Sequence, residues 1–222
     1  MTETWEYGSE GELEKETGFP WPPSEEGPIL TALAATWKGA TFDPGRFFAD
    51  TPRDRGTGAA LVYYLGLGIL VAGATLFWSS MAVLGTAGEP SFMASLGMEP
   101  VSPVVRFLLA PAILLFALFF SAGVVHVLLL IFDGATHGFG TTVRVFCYAY
   151  SPAIFGVVPI LGPLVGGIWS VVLSIIGLRE AHQAAAWKPA VAVLIPFLAG
   201  LILVFLMFFT LAMAIGGALP AG

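Results

Sequence analysis

The chain has 222 residues, of which 57% are hydrophobic and only 11% are charged, and its mean hydropathy is +0.86. Soluble domains carry about 25% charged residues, so this composition excludes an ordinary water-soluble protein and indicates that lipid surrounds most of the chain. The net charge of −6 and the lack of a basic patch argue against nucleic acid as a partner. The single cysteine, Cys147, excludes a disulfide framework and a cysteine-based metal site.

The acidic residues are concentrated near the N-terminus. Residues 1–56 contain eleven Asp and Glu against five Lys and Arg, whereas residues 57–222 contain four of each kind. Residues 1–27 are also rich in Gly and Pro and have too little apolar surface to offset the entropy of ordering. We therefore predict an acidic, disordered cytoplasmic tail over 1–27. A basic stretch followed by an apolar core is missing, so a cleaved signal peptide is not predicted.

Residues 28–56 are predicted to form a juxtamembrane amphipathic segment. Apolar residues recur at helical spacing after Pro28, a residue that suits the first turn of a helix. This pattern predicts a short helix lying in the membrane interface, with a helix that caps the bundle as the alternative. The predicted apolar face consists of Leu30, Leu33, Ala34 and Trp37, and the predicted membrane anchors are Trp37, Phe42, Phe47 and Phe48.

Five apolar stretches predict an all-α polytopic membrane protein, with a bundle of five transmembrane helices over residues 57–216. A membrane helix needs about 20 apolar residues. The third stretch is the weakest because Pro152 and Pro159 interrupt it, and the uncharged sequence PILGP after it predicts a tight hairpin. The five predicted spans cover about 58–84, 104–132, 141–158, 162–180 and 189–216.

The distribution of basic residues predicts the orientation, because cytoplasmic loops carry an excess of Lys and Arg. The opposite side carries only Arg106, beside the acidic Glu89 and Glu99. The N-terminus is therefore predicted to be cytoplasmic and the C-terminus outside, and the Ala- and Gly-rich composition favours a bacterial cytoplasmic membrane. The basic residues assigned to the cytoplasmic side are Arg46, Arg53, Arg55, Arg144, Arg179 and Lys188.

His126 lies near the middle of the second predicted span. An ionisable group at that depth is a candidate functional residue. We favour a neutral imidazole that is hydrogen-bonded to a hydroxyl or carbonyl of a neighbouring helix, and a proton or substrate relay is the alternative.

Most other ionisable side chains near the spans are predicted to lie in one solvated cytoplasmic layer. Arg144 lies about one turn inside the third span, so its guanidinium is expected to reach the headgroups. Asp133 or Glu180 is expected to pair with Arg144 or Arg179. The predicted layer consists of Asp133, His137, Arg144, Arg179, Glu180, His182 and Lys188.

A catalytic or metal site is not predicted. Ligand type makes a metal site from Asp133, His137, Glu180 and His182 an alternative, but their spacing matches no metal-binding signature. The chain lacks G-x-S-x-G, H-E-x-x-H and P-loop motifs. We therefore predict no enzyme and no cofactor, with a membrane-surface enzyme built on this polar layer as a third hypothesis.

The fourth span carries small residues at intervals of four, which place them on one helix face. Small residues let another backbone approach closely, and this kind of packing drives helix association in lipid. An intramolecular contact is the expected use of the face, and a homodimer seam is the alternative. The residues of this face are Gly162, Gly166, Ser170 and Ser174.

Three runs of sequence stand out: TFDPGRFF, GFGTTVRVFCYAYSPAIFGVVPILG and IWSVVLSIIGLREAHQAAAWKPAVAVLI. In order and spacing they resemble the Yip-domain membrane proteins, named for interaction with Ypt/Rab-type GTPases, over about residues 36–215. The resemblance implies a five-span bundle with a cytoplasmic N-terminus and no catalytic residues. For eukaryotic members of the family, the resemblance implies roles in vesicle traffic, GTPase recruitment and membrane shaping. The positions that match the family pattern are Arg144, Tyr148, Pro152, Gly162, Trp169, Gly177 and His182.

Our leading hypothesis is a non-enzymatic integral membrane protein that organises membrane or recruits partners. The expected partners are the lipid bilayer and either a second copy of the chain or another membrane protein. The alternative is a small transporter or channel that uses His126 and the proline-broken helices. That alternative requires a water-accessible cavity that reaches His126.

Overall fold

A computed structural model describes residues 19–23, 27–52, 56–85 and 101–218. These residues form seven α-helices and one 3₁₀ helix, and no β-strand occurs among them, so the all-α prediction is confirmed. The helices are α1 (Ile29–Phe42), α2 (Pro44–Ala49), α3 (Gly58–Gly85), α4 (Pro103–Ile131), α5 (Phe139–Ala149), the 3₁₀ helix (Ser151–Val157), α6 (Leu161–His182) and α7 (Trp187–Ala218).

Four of the five predicted spans are confirmed as helices long and apolar enough to cross a membrane. They lie in α3, α4, α6 and α7, over Gly58–Ala82, Pro103–Ile131, Leu161–His182 and Trp187–Met213. The chain is therefore an integral membrane protein whose spans contact the lipid bilayer.

The third predicted span, 141–158, is not one continuous helix. α5 ends at Ala149, and the 3₁₀ helix follows. Pro152 has no backbone N–H, so it leaves the carbonyl of Tyr148 without its helical donor. The Ser151 hydroxyl donates to that carbonyl at 2.6 Å and lies 2.7 Å from the Tyr63 hydroxyl. The proline thus divides the segment, and a side chain satisfies the backbone group that it frees.

Two glycines of α6 fit against the backbone of the 3₁₀ helix. A Cβ atom at Gly162 would lie 1.8 Å from the Phe155 carbonyl oxygen, and one at Gly166 would lie 2.6 Å from the Pro152 oxygen. Only glycine permits these approaches. The two glycines therefore make the expected intramolecular contact, and they are not available as a homodimer seam.

α1 packs on the bundle through small residues, because Ala32, Thr36 and Ala40 are buried. Leu30, on the predicted apolar face, is 79% exposed. The backbone carbonyl of Thr41 accepts a hydrogen bond from the Trp169 indole N–H at 2.8 Å, which fixes the end of α1 to the first half of α6. Ile29 and Leu30 therefore face outward from the protein, whereas Leu33 packs against the core.

Two of the predicted membrane anchors lie inside the protein instead. Phe48 is 2% exposed and Phe47 is 7% exposed. The Phe48 ring occupies the space that Gly177 of α6 leaves, since a Cβ there would meet it at 3.0 Å. The ring of Phe47 lies 5.3 Å from that of Tyr148. The prediction failed because composition does not reveal that α6 leaves a space for these rings.

Residues 19–23, which belong to the predicted disordered tail, are also packed. Trp21 is 7% exposed, its indole N–H donates to the carbonyl of Ala59 at 2.7 Å, and its ring lies 6.0 Å from Tyr63. The aromatic rings of Phe19 and Trp21 supply the apolar burial of this stretch. Residues 1–18 and 24–26 of that predicted tail lie outside the described residues, as do Arg53, Arg55, Glu89 and Glu99.

The buried side chains of the spans are concentrated at one end of the bundle, which we call the packed end. It contains the first residues of α3 and α7 and the last residues of α4 and α6. The opposite end is the open end, where each of the side chains from Leu201 to Phe209 in α7 exposes 49–69% of its surface. The buried residues toward the packed end are Ala60, Tyr63, Tyr64, Ala122, Val125, Leu129, Leu173, Leu178, His182, Pro189, Ala192 and Val193.

We expect Gly166→Ala to lower the unfolding temperature in detergent, because its methyl group would press on the Pro152 carbonyl. Overpacking of a close contact costs about 1–3 kcal/mol. The matched control is Gly167→Ala on the same helix, where nothing lies within 4 Å of an added Cβ. Equal unfolding temperatures for the two variants would contradict the packing described here.

Candidate functional site

The three histidines of the chain converge at the packed end, where we call them the histidine cluster. His126 comes from α4, His137 from the loop before α5, and His182 from the last position of α6. The ring centres of His126 and His137 lie 6.1 and 6.0 Å from that of His182. Thr142, in the first turns of α5, lies between two of them: its hydroxyl is 2.8 Å from His126 Nδ1 and 3.0 Å from His182 Nε2.

The hydrogen-bond partners determine which ring nitrogens carry protons in the neutral state. The backbone N–H of His137 donates to His182 Nδ1 at 3.2 Å, so Nδ1 is an acceptor and the proton of a neutral His182 lies on Nε2. That proton points to the Thr142 oxygen. The single hydroxyl proton of Thr142 is then directed to His126 Nδ1, which leaves the His126 proton on Nε2.

Thr136 connects the third histidine to the same group. Its hydroxyl contacts the backbone carbonyl of His182 as a donor and lies 3.0 Å from His137 Nδ1. Because the hydroxyl proton goes to the carbonyl, His137 Nδ1 must be the donor in the second contact. Thr136 therefore joins α6 to the α4–α5 connection, and Thr142 joins α5 to α4 and α6.

The main effect of this arrangement is to hold three helix ends together. His182 is fully buried, and both of its ring nitrogens have partners within the protein. Neither nitrogen is left for a metal or for a substrate. Among the residues that the structure describes, no three His, Cys, Asp or Glu side chains are placed to hold a metal ion. The proposed ligand set of Asp133, His137, Glu180 and His182 is therefore not brought together.

The remaining charges of the predicted layer pair with near neighbours. Lys188 Nζ lies 3.8 Å from a carboxylate oxygen of Asp133 and donates to its backbone carbonyl at 2.6 Å, which ties the start of α7 to the end of α4. Arg179 pairs with the adjacent Glu180 at 3.6 Å. In each pair one side chain is well exposed, and exposed pairs contribute about 0–1 kcal/mol each.

Arg144 is buried rather than extended to the headgroups. Its side chain is 7% exposed, and one guanidinium nitrogen donates to the carbonyl of Pro52 at 2.7 Å. A second nitrogen donates to the Thr141 hydroxyl at 3.3 Å. The carboxylates of Asp133 and Glu180, which the sequence suggested as partners, have the basic partners Lys188 and Arg179 instead. Arg144 thus binds the chain that follows α2 to the start of α5.

A half-enclosed cavity of about 430 Å³ lies between α4, α5, α6 and α7. Ser170 and Ser174, the other two residues of the predicted small-residue face, line it. His126 does not line it, although the neighbouring Val125 does. This cavity therefore does not supply the access to His126 that the transporter hypothesis requires.

Comparison with protein families adds evidence that is independent of this geometry. The Yip1 domain matches residues 38–209, which is most of the chain. The chain belongs to the Yip1 family. Comparison with curated proteins and with solved structures finds no match. The Yip1 match contains the histidine cluster and Arg144, and it begins after the acidic tail.

Yip1-pattern positions named from the sequence have structural roles in this chain. Pro152 divides the third predicted span, Gly162 admits the Phe155 carbonyl, and Gly177 admits the Phe48 ring. Tyr148 lies within 5.3 and 5.5 Å of the rings of Phe47 and Tyr63. The other three positions, Arg144, Trp169 and His182, form the hydrogen bonds described above.

Sequence reasoning missed the residues that form hydrogen bonds to the histidines and to Arg144. Thr142 and Thr136 carry no signal of their own, since threonines at a helix start are common and nothing in the sequence links them to distant histidines. The carbonyl of Pro52 is a backbone group and has no side-chain signature. The sequence therefore indicated several of the polar positions in this Yip1 protein but not the groups that hold them.

We expect Thr142→Val to destabilise the Yip1 fold, because it removes the hydroxyl between His126 and His182 and leaves a buried N–H without an acceptor. An unsatisfied buried group costs about 1–3 kcal/mol, measurable as a lower unfolding temperature in detergent. Thr142→Ser keeps the hydroxyl and should unfold near the wild-type temperature. If valine and serine were equally stable, the threonine bridge would not hold these helices together.

Proposed function

We propose that this Yip1-family protein is a non-enzymatic membrane protein that organises the bilayer, and that its asymmetric cross-section is the basis of that activity. The observation that carries the proposal is the concentration of packing at one end. α2 and α5 are packed with the spans toward the packed end, whereas no side chain of α7 is buried from Phe197 to Met213. A protein that occupies more area in one leaflet than in the other favours membrane curvature. The leaflet that holds the wider part of the protein lies on the convex side.

Five membrane crossings are part of this proposal. α5 and the 3₁₀ helix run beside α6, from Thr142 near His182 to Phe155 near Gly162. Their eleven and seven residues rise about 30 Å together at helical and 3₁₀ spacing, which equals the hydrocarbon thickness of a bilayer. Non-α backbone is tolerated at that depth where protein covers it, and α3 and α6 cover this segment.

The orientation follows from the charges at the two ends. Arg46, Arg144, Arg179 and Lys188 belong to the packed end, and Arg106 lies near the start of α4 toward the open end. The excess of basic residues favours a cytoplasmic packed end, with the C-terminus of α7 outside. Composition favours a bacterial cytoplasmic membrane.

The outward side chains of α1 support a lipid contact for the segment before the first span. Ile29, Leu30 and Phe42 are 60%, 79% and 64% exposed on a helix whose small residues face the protein. Apolar side chains in this arrangement lie in acyl chains rather than in water. We assign partner recruitment to a different surface, the half of α7 at the open end. Among the described residues, no side chain covers this half.

The proposal predicts that the protein accumulates on strongly curved membranes. Labelled protein would be reconstituted with its packed end outward into vesicles of graded diameter, and protein signal per lipid signal would be measured on single vesicles. We expect the ratio to rise as diameter falls. Replacement of Ile29 and Leu30 by Ser should weaken this dependence, since it removes exposed apolar surface that contacts the acyl chains.

Thr31→Ser is the matched control, because it lies beside the two changed residues and removes no large apolar side chain. It should preserve the dependence on diameter. A constant ratio across all diameters for the wild-type protein would refute bilayer organisation by shape.

A further inference from the structure

The cavity between α4, α5, α6 and α7 begins where α7 separates from the bundle. Ala192 and Val193 of α7 are buried, whereas the residues from Leu198 to Thr210 are exposed. Pro196 lies between these two parts, inside the helix and on the cavity wall. A proline within a helix removes one backbone bond and clashes with the preceding turn, which bends or weakens the helix there. The cavity therefore lies at the point where Pro196 bends or weakens α7.

The wall of the cavity is apolar and rich in aromatic rings. Tyr64 and Tyr150 meet on it with ring centres 4.7 Å apart. Its volume of about 430 Å³ falls within the range of small-molecule sites, about 300–1,000 Å³. The other aromatic residues on the wall are Phe120, Phe146 and Phe197. Such a wall suits a flat ring, because aromatic rings attract one another at centre distances of about 4.5–7 Å.

Hydroxyl groups interrupt this apolar wall, and several have no protein partner. Tyr64 donates to the carbonyl of Leu114 at 3.0 Å and Ser174 to that of Ser170 at 2.8 Å. The hydroxyls of Tyr150, Ser121 and Ser170 make no hydrogen bond to any of the described residues. Polar groups at membrane depth are costly unless they find a partner. The unpaired hydroxyls are therefore available to donate to acceptor atoms of an occupant.

The depth of these hydroxyls indicates what kind of molecule the occupant is. Ser170 precedes the charged Arg179 by nine residues, which at the helical rise is about 14 Å. Half of the hydrocarbon thickness is about 15 Å. The hydroxyls thus lie near the middle of the bilayer, where the charged headgroup of a phospholipid does not reach. An uncharged molecule that dissolves in hydrocarbon does reach them.

We propose that this cavity binds an isoprenoid quinone, a neutral bilayer-soluble molecule whose ring carries carbonyl oxygens. The ring packs between the aromatic side chains, its carbonyls accept from Tyr150 and from Ser170 or Ser121, and its tail leaves along the open half of α7. Phospholipid acyl chains are the competing occupants, since they share the apolar chemistry but lack acceptor atoms at that depth. The inference does not depend on bilayer organisation by the protein.

The test uses the full chain in phospholipid nanodiscs and a radiolabelled ubiquinone with a short isoprenoid tail. Quinone retained per protein, above that in empty nanodiscs, is measured over a range of concentrations. We expect saturation at one quinone per chain. Tyr150→Phe should weaken binding roughly fivefold, as for the loss of one hydrogen bond. Ser170→Phe, which fills the cavity, should reduce the retained quinone to the level of empty nanodiscs.

Two controls separate this effect from a damaged fold. Val127→Phe adds the same ring to an exposed position of α4 that does not line the cavity, and Thr210→Val removes a hydroxyl outside it. Both should bind as the wild-type protein does. Retention equal to that of empty nanodiscs, or no difference between Ser170→Phe and Val127→Phe, overturns the proposal. Native mass spectrometry that finds a phospholipid in place of the quinone overturns it as well.

Discussion

A proline inside a membrane-spanning segment leaves a backbone carbonyl without its helical hydrogen bond, and hydrocarbon cannot supply another donor. The arrangement of this chain depends on which group donates to that carbonyl. At Pro152 the Ser151 hydroxyl takes the place of the missing N–H, and the Tyr63 hydroxyl of α3 contacts the same serine. The backbone beyond the proline then forms a 3₁₀ helix whose carbonyls face α6. Because glycines lie opposite Phe155 and Pro152, α6 can approach closely enough to cover them.

The polar groups of the packed end follow from the same arrangement. α5 is short and surrounded by protein, so Thr142 reaches two histidines from different helices, and Arg144 reaches the chain before α3. Each of these side chains bonds to an uncharged group that a neighbouring element provides. In a low-dielectric environment such bonds hold elements in one relative position, because the alternative is an unsatisfied polar group.

The sequence was sufficient for properties that depend on hydrophobic length and on composition. The four long spans, the break at Pro152 and the close approach at Gly162 and Gly166 all follow from local chemistry. The buried state of Phe47 and Phe48 could not be read from the sequence, because an exposed aromatic anchor and a core aromatic have the same local pattern. The buried state of Arg144 was missed for a related reason, since its acceptor at Pro52 is a backbone carbonyl 92 positions away. Contacts between distant segments become visible only when the fold is known.

Trp21 gives the N-terminal region a mechanical connection to the membrane domain. Its indole is bonded to the first turn of α3, its ring touches Tyr63, and the Tyr63 hydroxyl reaches the serine that completes the break after α5. A force applied to the acidic residues before Trp21 is therefore transmitted along this line of side chains to the least regular part of the backbone. Traction on the residues before Trp21 would thus act first on the junction between α3 and the 3₁₀ helix, and not on the lipid-facing helices around it.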